Sequence, residues 1–189
     1  MDTKSTTLRR TEISTLLAEP NLNETVLVKG WVKAFRANRF ISLNDGSTIN
    51  SVQVVVDFEN LDENLLKQIS FHSCVAITGK LIESQGAGQA VEIAAEQIEI
   101  LGGSNADEYP ILPQKMTMEY LREKAHFRMR TNTMSSVFRI RHALAFAVHK
   151  FFHERNYYYM HTPIVTGSDA EGAGEMFRVT TLDPSKPPM

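Results

Sequence analysis

The sequence predicts an α+β protein: a small five-stranded β-barrel, a linker, then the start of a second domain opened by a long helix. Three observations carry that reading. Residues 24–101 hold five short stretches in which apolar and polar residues alternate, the period of a half-buried strand. Residues 102–107 are rich in Gly, Ser and Asn, the composition of a linker. Residues 134–155 change to helical spacing. The implied organisation is a barrel domain over 1–101, a linker or hinge over 102–133, and the second domain over 134–189.

Each element has its own signal. Residues 11–17 read as a short helix with Thr11 as its cap, stopped before Pro20. From Thr25 to Phe35, Val26, Val28 and Gly30 alternate with Leu27, Lys29 and Trp31. Arg39 to Leu43 is the second strand, ended by the turn signal Asn44-Asp45-Gly46-Ser47. Ser51 to Asp57 is the valine-rich third, and Asp62 to Ile69 fits a short helix. Ser73 to Glu83 is the fourth strand. Gln89 to Leu101 is the fifth, where Val91, Ile93, Ala95, and, after a bulge, Ile98 and Ile100 share a side. Five strands with a helix between the third and fourth fit an OB barrel, a fold that commonly binds oligonucleotides; the pattern alone also fits other small barrels. Further on, Met116 to Lys124 reads as a short helix. Val137, Ile140, Leu144, Ala147, Val148 and Phe151 make one face of a long helix ending at Asn156. Tyr157 to Val165, broken by Pro163, and Phe177 to Leu182 read as strands.

Composition narrows the function classes. Of 189 residues, 42% are hydrophobic and 22% charged, which excludes wholesale disorder and fibrous repeats. No apolar run approaches the roughly 20 residues of a membrane-spanning helix, and the first ten residues lack a signal-peptide core. Cys74 is the single cysteine, so no internal disulfide and no thiolate zinc site is expected, and the expected compartment is a reducing cytoplasm. It reads as a buried small hydrophobe. The six histidines show no metal-ligand spacing, so no metal site is expected on these residues.

Net charge is −2, which does not advertise a nucleic-acid partner. Its distribution says more. Residues 1–105 carry nine basic and thirteen acidic side chains; residues 106–189 carry eleven and nine. Lys29, Lys33, Arg36 and Arg39 have no acid between them, and eight basic residues lie in 122–155. Such clusters attract phosphate, or else form a solvated face.

The stretch from Asn156 to Val165, after a long basic amphipathic helix, resembles the first signature motif of class II aminoacyl-tRNA synthetases. The run from Thr166 to Leu182, with Gly167-Ser168-Asp169-Ala170-Glu171-Gly172-Ala173-Gly174-Glu175-Met176-Phe177, is similar to the asparaginyl branch. Gly30-Trp31-Val32, Arg36, Phe40, Asp45-Gly46-Ser47 and Gln53 resemble the anticodon-binding barrel of the aspartyl, asparaginyl and lysyl subgroup. Asn156 stands where the family usually has glycine, and asparagine tolerates the left-handed backbone expected after a helix.

The resemblance implies a function. ATP, with Mg2+, would activate asparagine as an adenylate, and tRNA(Asn) would then accept it; positioning and charge stabilisation carry that chemistry. Alternatives are an aspartyl enzyme of relaxed tRNA specificity and a non-catalytic OB-fold RNA-binding module. The second and third class II motifs, with their ATP-binding arginines, are not in these 189 residues. No catalytic residue is therefore named, and the chain alone is expected to be inactive. The resemblance also implies a homodimer in which Pro163 and the long helix form the interface. Apolar Phe138, Ala145, Phe146 and Phe152 outside the helix's main face agree with two-sided cover.

Site roles follow from the same source. Phe40 would stack on the central anticodon base, a uridine, Gln53 would hydrogen-bond its edge, and Arg36 would help hold the anticodon. From spacing alone, Phe40 reads as a barrel-core aromatic, Gln53 as a surface amide and Arg36 as a solvated charge. Lys29, Lys33 and Arg39 would add phosphate attraction only, and Trp31 reads as core or rim. In the glycine-rich loop, Ser168 and Glu171 would close over the amino acid, the Glu171 carboxylate pairing with its ammonium group. Without the resemblance that loop reads as an exposed acidic turn.

Overall fold

A computed structural model describes residues 8–57, 61–86, 88–105, 107–111 and 113–167. The chain divides into two units, 1–141 and 142–189. In the first, α1 (Ile13–Ala18) precedes β1 (Thr25–Arg36), β2 (Phe40–Asn44) and β3 (Val52–Val55); α2 (Glu63–Lys67) leads to β4 (Cys74–Glu83) and β5 (Val91–Gly102). The strands close into a barrel in the order β1-β2-β3-β5-β4. All pairings are antiparallel except β3 with β5. This is the five-stranded barrel that the alternation predicts, closed in the OB arrangement among those the pattern left open.

The barrel closes because one face of every strand is apolar. Val28, Val32, Ile41, Leu43, Val54, Ile77, Leu81 and Ile93 fill its interior, while Ile13 and Leu16 of α1 and Leu66 of α2 pack against them. Burying side chains of this size contributes about 1.5–3 kcal/mol each. The bulge expected in the fifth strand lies at Glu96, since Thr78 pairs with Gln97 and Gly79 with Ala95.

The start of α1 departs from expectation. Thr11 is not its cap: the N-cap is Glu12, whose side chain makes no capping bond. The cap comes from the distant turn after β2. The Asp45 carboxylate accepts from Ile13 N (3.0 Å), and Ser47 Oγ accepts from Ser14 N (2.9 Å). Asp45 also accepts from Ser47 N and Oγ, and from Arg10 at 3.2 Å, with its side chain only 1% exposed. Asn44 braces the same turn: its amide donates to Thr48 O and Asn50 O and accepts from Gly46 N.

Burial pushes the Asp45 carboxyl up. The hydrogen bonds from Ser47, Ile13 and Arg10 outweigh it and hold the group below its ordinary 3.8. A depressed folded-state value means stabilisation present above the unfolded value and lost as pH falls through the folded one. Asp45→Ala is expected to cost about 2 kcal/mol at neutral pH, by orphaning buried donors and removing the cap. It should also flatten the acid limb of urea midpoint against pH. A variant as acid-sensitive as the parent would remove Asp45 from this role.

After the barrel, α3 (Met118–Glu123) is capped by Thr117, whose Oγ1 accepts from Tyr120 N at 3.2 Å. A single 3-10 turn follows at Arg128–Arg130, and α4 spans Asn132–His153. Ile111, Leu121 and Met134 form a second small core, joined by Tyr109, Met116, Phe127 and Phe138. Phe138 is thus committed within the first unit, with Arg128 and Arg141 over its ring at 5.3 and 5.8 Å. Arg139 ties the first part of α4 to the barrel turn by donating to the backbone oxygens of Gly46 and Ser47.

In the second unit, Leu144, Phe146, Val148, Phe151 and Phe152 of α4 are exposed. Asn156 takes φ 63°, the left-handed conformation expected there. Residues 157–165 are not a strand: they make no ladder among the described residues, and an extended segment becomes a strand only by pairing. The strand predicted at Phe177 to Leu182 lies outside the described residues. No described helix is long and apolar enough to cross a membrane.

Candidate nucleic-acid interface

The β1–β2 hairpin builds one outer face of the barrel. Its turn, Ala37-Asn38, has φ of 50° at both residues and is closed by Arg39 N donating to Arg36 O at 3.0 Å. Two left-handed residues match the twist of paired strands, and Arg39 completes the three-residue connection between β1 and β2. Arg36 therefore stands directly opposite Phe40, and Phe40 opposite Val55 on its other side.

Period two then sorts the side chains. Ile41 and Leu43 enter the core, so Phe40 and Ser42 face outward. On β3, Val52 and Val54 go in, and Gln53 and Val55 face out. Ser42 pairs with Gln53, which makes Phe40 and Gln53 diagonal neighbours on one face. Diagonal positions lie about 7–8 Å apart, within reach of one planar base. Phe40 is half-buried and not enclosed in the barrel; Arg36 is exposed, and the Arg39 guanidinium lies 5.8 Å from the Phe40 ring.

The parallel β3–β5 pairing adds a residue that sequence reasoning missed. Glu92 lies beside Gln53, and its Oε2 accepts from Gln53 Nε2 at 3.1 Å. Ser84 Oγ (3.3 Å) and Gln89 Nε2 (3.4 Å) donate to the same oxygen. Glu92 is 7% exposed. Nε2 is the Gln53 donor in this bond, so the amide turns its NH2 toward Glu92. That leaves the amide oxygen and one N–H edge for a ligand. The available signal was an acid among the apolar residues of a strand, but its partner depended on a parallel register that no local pattern specifies.

Other expected positions are distributed differently. Lys33 is not a free surface charge: its amine donates to the Arg130 backbone carbonyl, and burial, then the Arg130 charge, lowers its pKa. Trp31 sits at the barrel rim, with the Arg130 guanidinium 3.6 Å above its ring. Cys74 is half-exposed, contrary to expectation, because Val75 and Ile77 take the inward positions beside it. Pro163 is exposed in the second unit. Ser168 and Glu171 lie outside the described residues.

Comparison with known proteins agrees with the barrel fold. Residues 26–101 match the model of the OB-fold nucleic acid binding domain, and residues 117–186 match that of tRNA synthetases class II (D, K and N). A relative from Phocaeicola vulgatus, named asparagine--tRNA ligase, is 54% identical over 92% of this chain and 38% of its own length. One of the same name from Cytophaga hutchinsonii is 47% identical over 95% of the chain and 40% of its own length. The chain thus spans about two fifths of the relatives it matches. Among solved structures, asparaginyl-tRNA synthetase from Pyrococcus horikoshii is similar with a TM-score of 0.72 at 20% identity, over 85% of this chain and 39% of that one. The Entamoeba histolytica enzyme in complex with asparaginyl-adenylate follows at 0.69 and 19%, over 80% and 38%. With a class II model over its second part, an OB-fold model over its first, and relatives near half identity along nearly all of it, the chain belongs to the class II tRNA synthetases of the D, K and N group.

Proposed function

We propose that this chain is the anticodon-reading and dimer-forming part of an asparagine--tRNA ligase. The complete protein would activate asparagine with ATP and transfer it to tRNA(Asn) in the cytoplasm. The observation that supports the RNA role is the shared outward face of Phe40 and Gln53, with Arg36 beside Phe40. Phe40 offers a π-face, Gln53 an acceptor and a donor for a base edge, and Arg36 a cation for the backbone. Uridine fits that pair, because its N3–H can meet the amide oxygen while a uridine carbonyl accepts from the amide N–H. Glu92 is the positioning residue that fixes this orientation. The Gln53–Glu92 bond favours a specific reader over a non-specific RNA-binding module.

The remaining roles rest on the family resemblance and on the relatives' names. Ser168 and Glu171 would contact the amino acid, and Pro163 with α4 would face a second copy of the chain. The exposed apolar residues of α4, from Leu144 to Phe152, support cover by another surface. No described residue is assigned to ATP or Mg2+. The relatives' shared name favours asparagine over aspartate. Amino-acid-dependent pyrophosphate exchange by the complete gene product tests that choice. Exchange driven by asparagine is expected; exchange driven by aspartate instead would replace this reading with the aspartyl one.

A further inference from the structure

We propose that a cleft between the barrel and the segment from Ile111 to Thr133 holds backbone phosphates of the RNA whose base is read at Phe40 and Gln53. The proposal rests on the base-reading assignment above and extends it to the path of the strand. The cleft has a volume of about 870 Å3 and takes Lys33, Arg36, Lys115 and Arg130 into its wall. Among its described lining residues there is no carboxylate. In a chain of net charge −2, four cations without an acid are not an average surface.

Among the described residues the cations also lack an acid partner: the ion pairs there involve none of the four. Lys33 and Arg130 lie close enough for the one charge to depress the other's pKa, although burial is the larger cause. Arg130 spends its planar face on Trp31, which leaves the N–H edge of the guanidinium for an anion. His72, 6% exposed, forms part of the same wall. Its ring nitrogens make no hydrogen bond of ordinary geometry. Burial, with Lys33 and Arg130 next, lowers its pKa to about 4, which keeps the imidazole neutral at physiological pH. Like charges held together at a half-buried wall are costly, and an anion between them removes that cost.

Position identifies the anion. Arg36 and Ser42 line the cleft, and they are the direct cross-strand partners of Phe40 and Gln53. A strand stacked on Phe40 therefore has its sugar–phosphate backbone at the cleft mouth. The volume suits several linked phosphates and exceeds what one inorganic ion needs.

The test is binding of a labelled stem-loop RNA with uridine at the loop centre, across about 50–200 mM salt, where phosphate contacts set the slope. Lys115→Gln, and separately Lys33→Gln with Lys115→Gln, are compared with Lys80→Gln, an exposed lysine outside the cleft. Each cleft lysine removed is expected to reduce the slope of log affinity against log salt by roughly 1, equally for uridine- and cytidine-centred loops. Phe40→Ala should lower affinity while keeping the slope. An unchanged slope in the cleft variants, beside weakened binding by Phe40→Ala, overturns the cleft and spares the base site. A reduced slope beside an inert Phe40→Ala supports phosphate binding in the cleft and discards the base-reading assignment. If tripolyphosphate raises the melting temperature of the parent but not of the double variant, and the RNA slope stays unchanged, the cleft serves a free polyphosphate and the RNA proposal fails. Lys115 is exposed, so its single variant reports on binding even if the Lys33 change disturbs folding.

Discussion

Phe40→Ala is expected to weaken binding of a uridine-centred stem-loop RNA by about 1–3 kcal/mol, the loss of one base–aromatic stack. At the upper end that is roughly a hundredfold in Kd. The effect should fall on binding and spare the fold. Phe40 faces out of the barrel, whereas its neighbours Ile41 and Leu43 are the ones buried in the core. Truncation thus removes a ligand platform and leaves the interior packing intact. Replacement of Gln53 by alanine acts on a different quantity. It removes the oriented amide, so uridine- and cytidine-centred loops should become equal while stacking persists. Both are read as Kd at fixed salt, with the melting temperature as the control for folding. An unchanged Kd for Phe40→Ala would make this aromatic an ordinary half-exposed strand residue.

The barrel was legible because alternation is a local property. Val26, Val28 and Val32 on one strand, and Ile41 and Leu43 on the next, announce their inward faces without knowledge of their partners. The bulge at Glu96 was legible too, since Ala95 and Ile98 fall out of step by one residue. Long-range contacts were not. The cap of α1 comes from Asp45, 32 residues beyond Ile13, and no pattern near Thr11 points to it. Lys33 read as one more surface cation because its partner, Arg130, lies 97 residues away. The Phe40–Gln53 face was reached through family resemblance, because period two places a residue outside but does not say what it meets there. Glu92 shows the same limit. Its role follows from the β3–β5 register, and parallel neighbours far apart in sequence leave no local trace.

Gly79→Ala should cost the barrel about 3 kcal/mol or more, the largest stability effect expected of any single methyl group here. Gly79 lies where β4 meets the bulged part of β5, paired with Ala95 on one side and with Val26 of β1 on the other. A Cβ at this position would stand 2.1 Å from the Ala94 carbonyl oxygen and 2.9 Å from its carbon. Both obstacles are backbone, so no side-chain rotation relieves the clash. An open sheet could release it by letting an edge strand swing away. A closed barrel cannot, because displacing β5 from β4 also strains its pairing with β3. Gly30→Ala should be damaging by the same mechanism, since its Cβ would meet Asn44 O at 2.6 Å. Gly103→Ala is the matched control, with nothing within 4 Å of the added carbon. Urea midpoints should place Gly103→Ala beside the parent and Gly79→Ala far below it, if the latter folds at all. Equal midpoints for the Gly79 and Gly103 variants would mean that β4 and β5 do not approach as closely as barrel closure requires.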